Sequence, residues 1–309
     1  MAEVLIVGSM ALDTIETPFG RGEDIVGGAG VYSAIAASFF APVNLIGVVG
    51  DDYPQESLDF LADRGISLDG VVVVPGGRTF RWAGRYQYDM SSAETLDTQL
   101  GVFADFDPRV PESYHHSRYV FLANILPSVQ LAVIEQIGDG CFVIADTMNF
   151  WIERARDDLY KVLERVDLML LNDSEARQLT GQPNLARAAE EVLKMGPRYV
   201  VIKKGEYGAT LVSEAGGSFT LPCYPLQDVR DPTGAGDSFA GGFIGYLAWA
   251  GQCGDPDLRQ ATAIGTVMAS RCVESFGLDT LAATTTRDIY DRYFALRRMV
   301  EFQELPEGL

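Results

Sequence analysis

One segment has the residue types and spacing of an anion site, residues 231–242 with the sequence DPTGAGDSFAGG. Gly234 and Gly236 let the backbone approach a ligand closely, because glycine has no Cβ atom. The apolar run that follows predicts a helix, and the N–H groups at a helix N-terminus carry partial positive charge. The segment therefore predicts a pocket for a phosphoryl group. It is not a Walker A loop, since no Gly-Lys-Ser/Thr follows.

Asp237 lies at the start of this predicted helix and has two interpretations. A carboxylate at a helix N-terminus is favourable as a cap, because it interacts with the positive end of the helix dipole. Pointed into a cleft, the same carboxylate is able to accept a proton from a substrate hydroxyl as a general base. The turn and the carboxylate alone leave both interpretations open.

Short apolar runs that alternate with helical segments must position this site. Strands are predicted at 4–7, 43–49, 119–122, 141–145, 168–171 and 199–202. Helices are predicted at 31–40 and 53–64, and the chain from Asp237 onward is mostly helical. This alternation is typical of βαβ units, so we predict an α/β fold with a mostly parallel sheet and helices on both faces.

Two segments, at about 14–26 and 71–90, interrupt this alternation with hairpin character and Gly-Pro turns. Strands inserted in this way often form a lid over a site at the carboxyl edge of the sheet. A peripheral edge hairpin is the alternative.

Aromatic residues alternate along the second lid segment. Phe80, Trp82, Tyr86 and Tyr88 would share one face of a strand there. Such a face is able to stack on a sugar or a nucleobase. Alternatively, it packs the lid against the protein or against a second subunit.

The composition is that of an ordinary globular protein of 309 residues, with 47% hydrophobic and 22% charged residues. The 24 basic and 43 acidic residues give a formal charge of −19, which repels phosphate backbones, so we expect no nucleic-acid partner. We also expect no membrane span and no secretory signal. The four cysteines are scattered, as is typical of reduced thiols in a cytoplasmic protein.

The segment 231–242 resembles the C-terminal signature of the ribokinase/PfkB family of carbohydrate and nucleoside kinases. Other segments resemble the family's motifs in the same order along nearly the whole chain. They are GSMALD (8–13), GGAGVYSA (27–34), GVVGDD (47–52), NDSE (172–175) and VIKKGEYGA (201–209). The joint order of these motifs carries the resemblance.

The resemblance implies a ribokinase-like three-layer αβα sandwich with a small β-sheet lid, as a single domain over residues 1–309. It implies ATP-dependent transfer of the γ-phosphoryl group to a hydroxymethyl group of a small carbohydrate. Asp237 takes the role of catalytic base, and the backbone of Gly234, Ala235 and Gly236 forms the anion hole. Positioning and electrostatic stabilisation are what phosphoryl transfer requires.

The resemblance also implies nucleotide-side residues. Of the adjacent Lys203 and Lys204, which follow a predicted strand, Lys204 is assigned to the nucleotide. Gly205 and Gly208 are assigned to the turn beside it, and Thr233 to the cofactor. A lysine at this position alternatively solvates the end of the strand.

Two metal sites are implied. Asn172 and Glu175 resemble the residues that organise Mg²⁺, through water, around the phosphates. The same pair has the spacing of a helix capping box, and both roles are compatible. Asp231 is assigned to a monovalent cation site, for K⁺, that residues 270–277 would complete.

Asp13, Gly27 and Gly28 resemble the substrate-binding positions, and Tyr32 occupies a further one. Asn124, just after the strand predicted at 119–122, is another substrate candidate. An aspartate at position 13 is suited to accept hydrogen bonds from vicinal hydroxyls, whereas a turn-capping role before residue 14 is the alternative. Family members commonly carry Asn where this chain has Tyr32, so the identity of the substrate does not follow from the resemblance.

Three functions therefore compete. The first is an ATP- and Mg²⁺-dependent sugar kinase, and the second is a nucleoside kinase for adenosine, inosine or cytidine. The third is a sugar or nucleotide sensor without catalysis, which the intact Asp237 disfavours. The family precedent and the aromatic lid predict a homodimer through the lid.

Overall fold

The strands of the computed structural model, which describes residues 2–303, form two separate sheets. The large sheet contains β1 (Val4–Val7), β4 (Val43–Gly50), β5 (Ile66–Val74), β8 (Tyr119–Leu122), β9 (Phe142–Ala145), β10 (Leu168–Asn172), β11 (Tyr199–Lys203), β12 (Ala209–Ser213) and β13 (Ser218–Leu221). The small sheet, which we call the lid, contains β2 (Ala11–Thr17), β3 (Gly20–Gly27), β6 (Phe80–Tyr86) and β7 (Ala93–Gln99). The helices are α1 (Ala29–Ser38), α2 (Gln55–Asp63), α3 (Pro127–Ile134), α4 (Asn149–Arg154), α5 (Arg156–Leu163), α6 (Asp173–Thr180), α7 (Leu185–Leu193), α8 (Ala235–Ala250), α9 (Asp255–Cys272), α10 (Asp279–Ala283) and α11 (Thr286–Val300).

The large sheet has the strand order β13-β12-β11-β10-β9-β8-β1-β4-β5, and neighbouring strands from β11 to β5 are parallel. Helices cover both of its faces, so every residue of β1 is buried. Val4 and Ile6 join the apolar layer of α1, α8 and α9, whereas Leu5 and Val7 join the layer of α3, α5, α6 and α7. The predicted three-layer αβα sandwich is thus confirmed.

The strands and the two helices predicted from the alternation lie within two residues of the observed ones. The antiparallel edge strands β12 and β13 were not among them. No helix within residues 2–303 is long and apolar enough to cross a lipid bilayer.

The lid differs in part from its prediction. The segment 14–26 does form lid strands, as β2 and β3. In the segment 71–90, however, residues 71–74 extend β5 along the edge of the large sheet, because this valine run pairs with β4. The lid takes β6 from that segment and adds β7, whose sequence AETLDTQ has too few apolar residues to predict a strand.

The carboxyl ends of the parallel strands bring the chemically active residues together. Asp146 follows β9, and Asn172 and Lys203 are the last residues of β10 and β11, paired in register. The fully buried Gln130 ties two of these strand ends, because its Nε2 donates to the carbonyl oxygens of Ala123 and Asp146 at 2.9 Å. A parallel sheet presents its ligand site at this edge.

Candidate active site

The predicted anion loop leads directly into α8. Gly234 is the N-cap of this helix, with φ 77° and ψ 0°, a left-handed conformation that favours glycine. Within residues 2–303, the N–H groups of Gly234 and Gly236 donate to no other protein group. The N–H of Ala235, by contrast, closes a turn by donating to the carbonyl oxygen of Pro232 at 3.1 Å. The loop therefore offers two free amides at a helix N-terminus, where an anion is favoured.

Tyr32, predicted to contact substrate, lies beneath this loop. A Cβ atom on Gly234 would lie 2.5 Å from each of three atoms of the Tyr32 ring, so the ring packs directly on the glycine. The side chain is buried, and burial raises the pKa of its phenol well above the usual value. The ring of Tyr32 therefore packs against Gly234 and supports the loop, and a contact of Tyr32 with substrate stays a prediction.

Asp237 lies in the first turn of α8, next to the loop. Burial and the nearby Asp146 raise the pKa of its carboxyl to about 6, against an opposing effect of Lys203. A carboxyl with this pKa is ionised at neutral pH yet remains basic enough to take a proton, which suits a general base.

Lys203, not Lys204, brings an ammonium group to this region. Its Nζ lies 2.5 Å from Asp146 Oδ2, and a Cβ atom on Gly236 would lie 3.2 Å from it. Lys204 Nζ instead donates to Thr210 Oγ1 at 2.9 Å. Lys203 therefore brings its ammonium to the anion loop, and the assignment of Lys204 to the nucleotide stays a prediction.

Asn172 and Glu175 form the predicted capping box at the start of α6. Asn172 Oδ1 accepts from the Glu175 N–H at 2.8 Å, and Glu175 Oε2 accepts from the Asn172 N–H at 2.6 Å. Glu175 is buried, and burial together with Asp146 raises the pKa of its carboxyl. The capping role is confirmed, and the metal role stays a prediction.

The electrostatics of this edge fit a Mg²⁺ ion that keeps water and phosphate ligands. Asp146, Glu175 and Asp237 all interact electrostatically with the ammonium of Lys203, so carboxyl groups outnumber this ammonium. Within residues 2–303, no cluster of His, Cys, Asp and Glu supplies the three ligands of a protein cage. Mg²⁺ usually binds through one or two protein groups and substrate phosphates, so the residues fit this ion.

Asp13 lies on lid strand β2, against the double glycine. It is only 4% exposed, and a Cβ atom on Gly27 would lie 2.6 Å from its Oδ2. Burial, together with the nearby Asp231 and Asp237, raises the pKa of Asp13 to about 7. Gly28 has φ 96°, and a Cβ there would lie 2.5 Å from the Ser9 carbonyl oxygen. Asp13 therefore lies within a strand and does not cap a turn.

The other assigned residues have structural contacts. Asp231 is buried, and its Oδ1 accepts from the Thr233 N–H at 2.9 Å, so it holds the anion loop in place. Asn124 Oδ1 accepts from Trp151 Nε1 at 3.0 Å just after β8. Three roles stay predictions: cation binding by Asp231, cofactor binding by Thr233 and substrate binding by Asn124.

The turn after β11 needs its glycines. Gly205 and Gly208 have φ values of 54° and 83°. A Cβ atom on Gly208 would lie 2.0 Å from the Leu221 carbonyl oxygen, so no other residue fits there without a shift of the backbone.

The lid aromatics do not act as one face. Phe80 packs on Phe103, with ring centroids 5.4 Å apart, and Tyr88 lies beyond the end of β6 and is 92% exposed. Tyr86 contacts the anion loop, since its hydroxyl and Thr233 Oγ1 are 3.2 Å apart. The shared-face prediction fails for Tyr88 because β6 ends at Tyr86.

Sequence reasoning missed Asp146 and Tyr86 as neighbours of the anion loop. Asp146 follows a buried apolar strand, which is the same signal that pointed to Asn172. No local pattern could have placed Tyr86 against Thr233, which is 147 positions away.

The profile of the pfkB family carbohydrate kinases matches residues 1–285 of this chain. The chain belongs to the pfkB family. It is therefore a phosphotransferase that acts on an alcohol group, as the resemblance implied.

Several relatives place this pfkB kinase among carbohydrate and nucleoside kinases. A cytidine kinase of Thermococcus kodakarensis is 29% identical over 284 residues, which cover 90% of this chain and 98% of the relative. A ribokinase of Arabidopsis thaliana, solved with ribose and ATP, has a TM-score of 0.78 at 21% identity, covering 94% of this chain and 98% of its own. A candidate ribokinase II of E. coli, solved with ATP and Mg²⁺, has a TM-score of 0.77 at 19% identity, covering 96% and 100%. The two structures confirm the ribokinase-like fold.

Proposed function

We propose that this pfkB kinase transfers the γ-phosphoryl group of ATP to the hydroxymethyl group of a nucleoside, with Asp237 as the general base. The placement of Asp237 carries the catalytic part, because its carboxyl adjoins two free loop amides and has a pKa of about 6. The cytidine kinase that aligns over 98% of its own length supports a nucleoside as acceptor. A free sugar, the first choice from sequence, is the second candidate and is supported by the family description.

The residues of the site have distinct roles in this reaction. Asp13, held against Gly27, accepts hydrogen bonds from the hydroxyls of the ribose ring. Asp237 takes the proton from the hydroxymethyl group as its oxygen attacks the γ-phosphorus and the bond to the β-phosphate oxygen breaks. The N–H groups of Gly234 and Gly236, with Lys203, stabilise the charge on the transferred oxygens.

ATP and Mg²⁺ are part of this proposal, supported by structural neighbours solved with them. Asn172 and Glu175 would hold the metal through water. When bound, Mg²⁺ neutralises phosphate charge and orients the β- and γ-phosphates. The excess of carboxylates around Lys203 supports this assignment.

A homodimer through the lid is also proposed. Phe19, Leu96 and Leu100 of the lid region are 54%, 45% and 48% exposed, so the lid presents apolar side chains that a partner is able to contact. A second copy of the chain would cover them. Analytical ultracentrifugation is expected to give the mass of a dimer, and a monomer at micromolar concentration would refute this proposal.

Coupled ADP release tests the activity with a panel of acceptors. We expect turnover with cytidine or another nucleoside and little with ribose or fructose. Turnover with ribose or fructose alone would replace the nucleoside by the sugar. Asp237→Asn is expected to lower kcat by about 10²- to 10⁴-fold while ADP still binds, as for loss of a general base. Full activity of this variant would overturn the assignment of the base.

A further inference from the structure

Asp146 and Lys203 form a buried ion pair beside the proposed base, and Asp146 has no step of its own in the reaction. Lys203 Nζ and Asp146 Oδ2 are 2.5 Å apart, and the two side chains are 16% and 5% exposed. They extend from the carboxyl ends of β11 and β9, so the pair spans β10, which lies between them. Removing one partner of such a pair leaves an uncompensated charge.

Asp146 is held rigidly. Its N–H donates to the Leu122 carbonyl oxygen at 3.0 Å, and its own carbonyl accepts from the buried Gln130 Nε2 at 2.9 Å. Its Oδ1 accepts from the Thr147 N–H at 2.9 Å. Because backbone and carboxylate are both fixed, Asp146 determines where the long side chain of Lys203 ends.

The ammonium group of Lys203 lies next to the proposed base, Asp237. The contact of its Nζ with the Gly236 position places the ammonium against the anion loop, one residue before Asp237. An ammonium there interacts with three carboxyl groups, Asp146, Glu175 and Asp237, of which Asp237 adjoins the anion loop. Pairing with Asp237 would occupy the carboxylate that must take the proton.

We propose that Asp146 is a positioning residue that holds the Lys203 ammonium at the phosphate side of the anion loop and off the carboxylate of Asp237. The inference rests on the proposed role of Asp237 as base. In this arrangement Lys203 is available to the transferred phosphoryl group, and Asp237 remains free for the hydroxyl of the acceptor.

The two partners act on the base in opposite directions. The charged and titratable groups that face Asp237 or lie within its field are Asp146 on the β9 side, Lys203 on β11, Asp13 on β2, Tyr32 on α1 and Cys272 on α9. The carboxylate of Asp146 raises the pKa of Asp237, and the ammonium of Lys203 lowers it. Since kcat/KM falls when the base is protonated, its acid limb reports this pKa.

The test compares Asp146→Asn, Lys203→Met and the double variant with the parent enzyme. In Asp146→Asn, the acid limb of kcat/KM is expected to move to lower pH, and kcat to fall about 10- to 100-fold as Lys203 moves onto Asp237. In Lys203→Met, the acid limb is expected to move to higher pH. In the double variant, the limb is expected to lie between those of the single variants, because the two effects oppose.

Asp167→Asn is the matched control. Asp167 pairs with Arg198 at 2.8 Å at the amino ends of the same strands β10 and β11, far from the anion loop. We expect this variant to keep the acid limb and kcat of the parent. ADP binding by calorimetry and thermal unfolding show whether each variant is folded.

Three results would overturn the inference. The first is an acid limb of kcat/KM in Asp146→Asn that coincides with that of Asp167→Asn. The second is a shift of the acid limb in the same direction in Asp146→Asn and Lys203→Met. The third is an unchanged kcat in Asp146→Asn. If Asp146→Asn does not fold, Lys203→Met alone tests the inference. Its acid limb of kcat/KM is then expected to move to higher pH, and an unmoved limb would overturn the inference. An active Asp237→Asn would instead show that the proposed base is wrong, which distinguishes the two failures.

Discussion

Replacing Gly234 by alanine perturbs the anion loop at its point of closest packing. The residue has φ 77°, which costs a residue other than glycine about 1–2 kcal/mol. The new methyl would lie 2.5 Å from three atoms of the buried Tyr32 ring, and relieving such overpacking costs about 1–3 kcal/mol. Gly234→Ala should therefore lower the free energy of unfolding by about 2–5 kcal/mol.

The other end of the same helix supplies the control. Gly251 caps the C-terminus of α8 with φ 69°, and a Cβ there would meet nothing within 4 Å. Gly251→Ala should therefore show only the backbone cost of about 1–2 kcal/mol. The difference between the two variants measures the contact with Tyr32.

Thermal unfolding and steady-state kinetics check this prediction. At about 2 °C per kcal/mol, Gly234→Ala should melt about 2–6 °C below Gly251→Ala. If the loop moves by about 1 Å to relieve the contact, kcat should fall about 10²-fold, while Gly251→Ala keeps its activity. Adding Tyr32→Leu to Gly234→Ala should restore part of the stability, as expected for residues in contact.

Equal melting temperatures for the alanine variants at Gly234 and Gly251 would refute the reasoning. They would mean that the ring of Tyr32 yields at no cost and does not support the loop. A large loss of stability with unchanged kcat would separate the packing from the chemistry, and the loop would then tolerate displacement.

Two further predictions concern the proposed acceptor side of the site, and a third concerns the lid. Burial, together with Asp231 and Asp237, raises the pKa of Asp13 from 3.8 to about 7. The contribution of Asp13 to stability is therefore fully present below pH 3.8 and is lost as the pH rises through about 7. Asp13→Asn should therefore raise the melting temperature of the ligand-free protein above neutral pH but not near pH 3.8, which a series of melts checks. Gly27→Ala, whose methyl would lie 2.6 Å from Asp13 Oδ2, should raise the acceptor KM about tenfold or more while calorimetry shows unchanged ADP binding. Asp52→Asn weakens bonds to the Thr79 N–H and hydroxyl at 2.7 and 2.6 Å, so stability should fall by about 1–3 kcal/mol, and limited proteolysis should cut the lid faster.

Much of the fold was predictable because buried parallel strands have a simple signature. The strands at the centre of the large sheet are short apolar runs. These runs predicted where the strands lie in the sequence and that they alternate with helices. The edges were harder to predict. β7 and β13 are polar or half-exposed, and their pairing partners rather than their own residues determine that they are strands.

The site shows the same division. The placement of the glycine loop and Asp237 at the start of one helix was predictable, because these residues are adjacent in the chain. Which of Lys203 and Lys204 lies at the loop was not predictable, because it depends on which side of β11 the last residue of the strand faces. That orientation is set by the pairing of β11 with β10 and β12, which involves residues from three parts of the chain.

A chain with a large negative net charge that binds a triphosphate needs a positive electrostatic field at the binding site itself. The formal charge of −19 comes from a count of side chains, and the free N–H groups of Gly234 and Gly236 do not enter that count. The ammonium of Lys203 joins them at the loop, and it is already paired with Asp146. In the proposed site, the backbone and the positioned Lys203 thus provide the positive field, and the neighbouring carboxyl groups take the proposed roles toward the metal and the proton. It follows that basic residues added to the surface would change the rate of ATP encounter far more than the rate of transfer, since they lie outside this local arrangement.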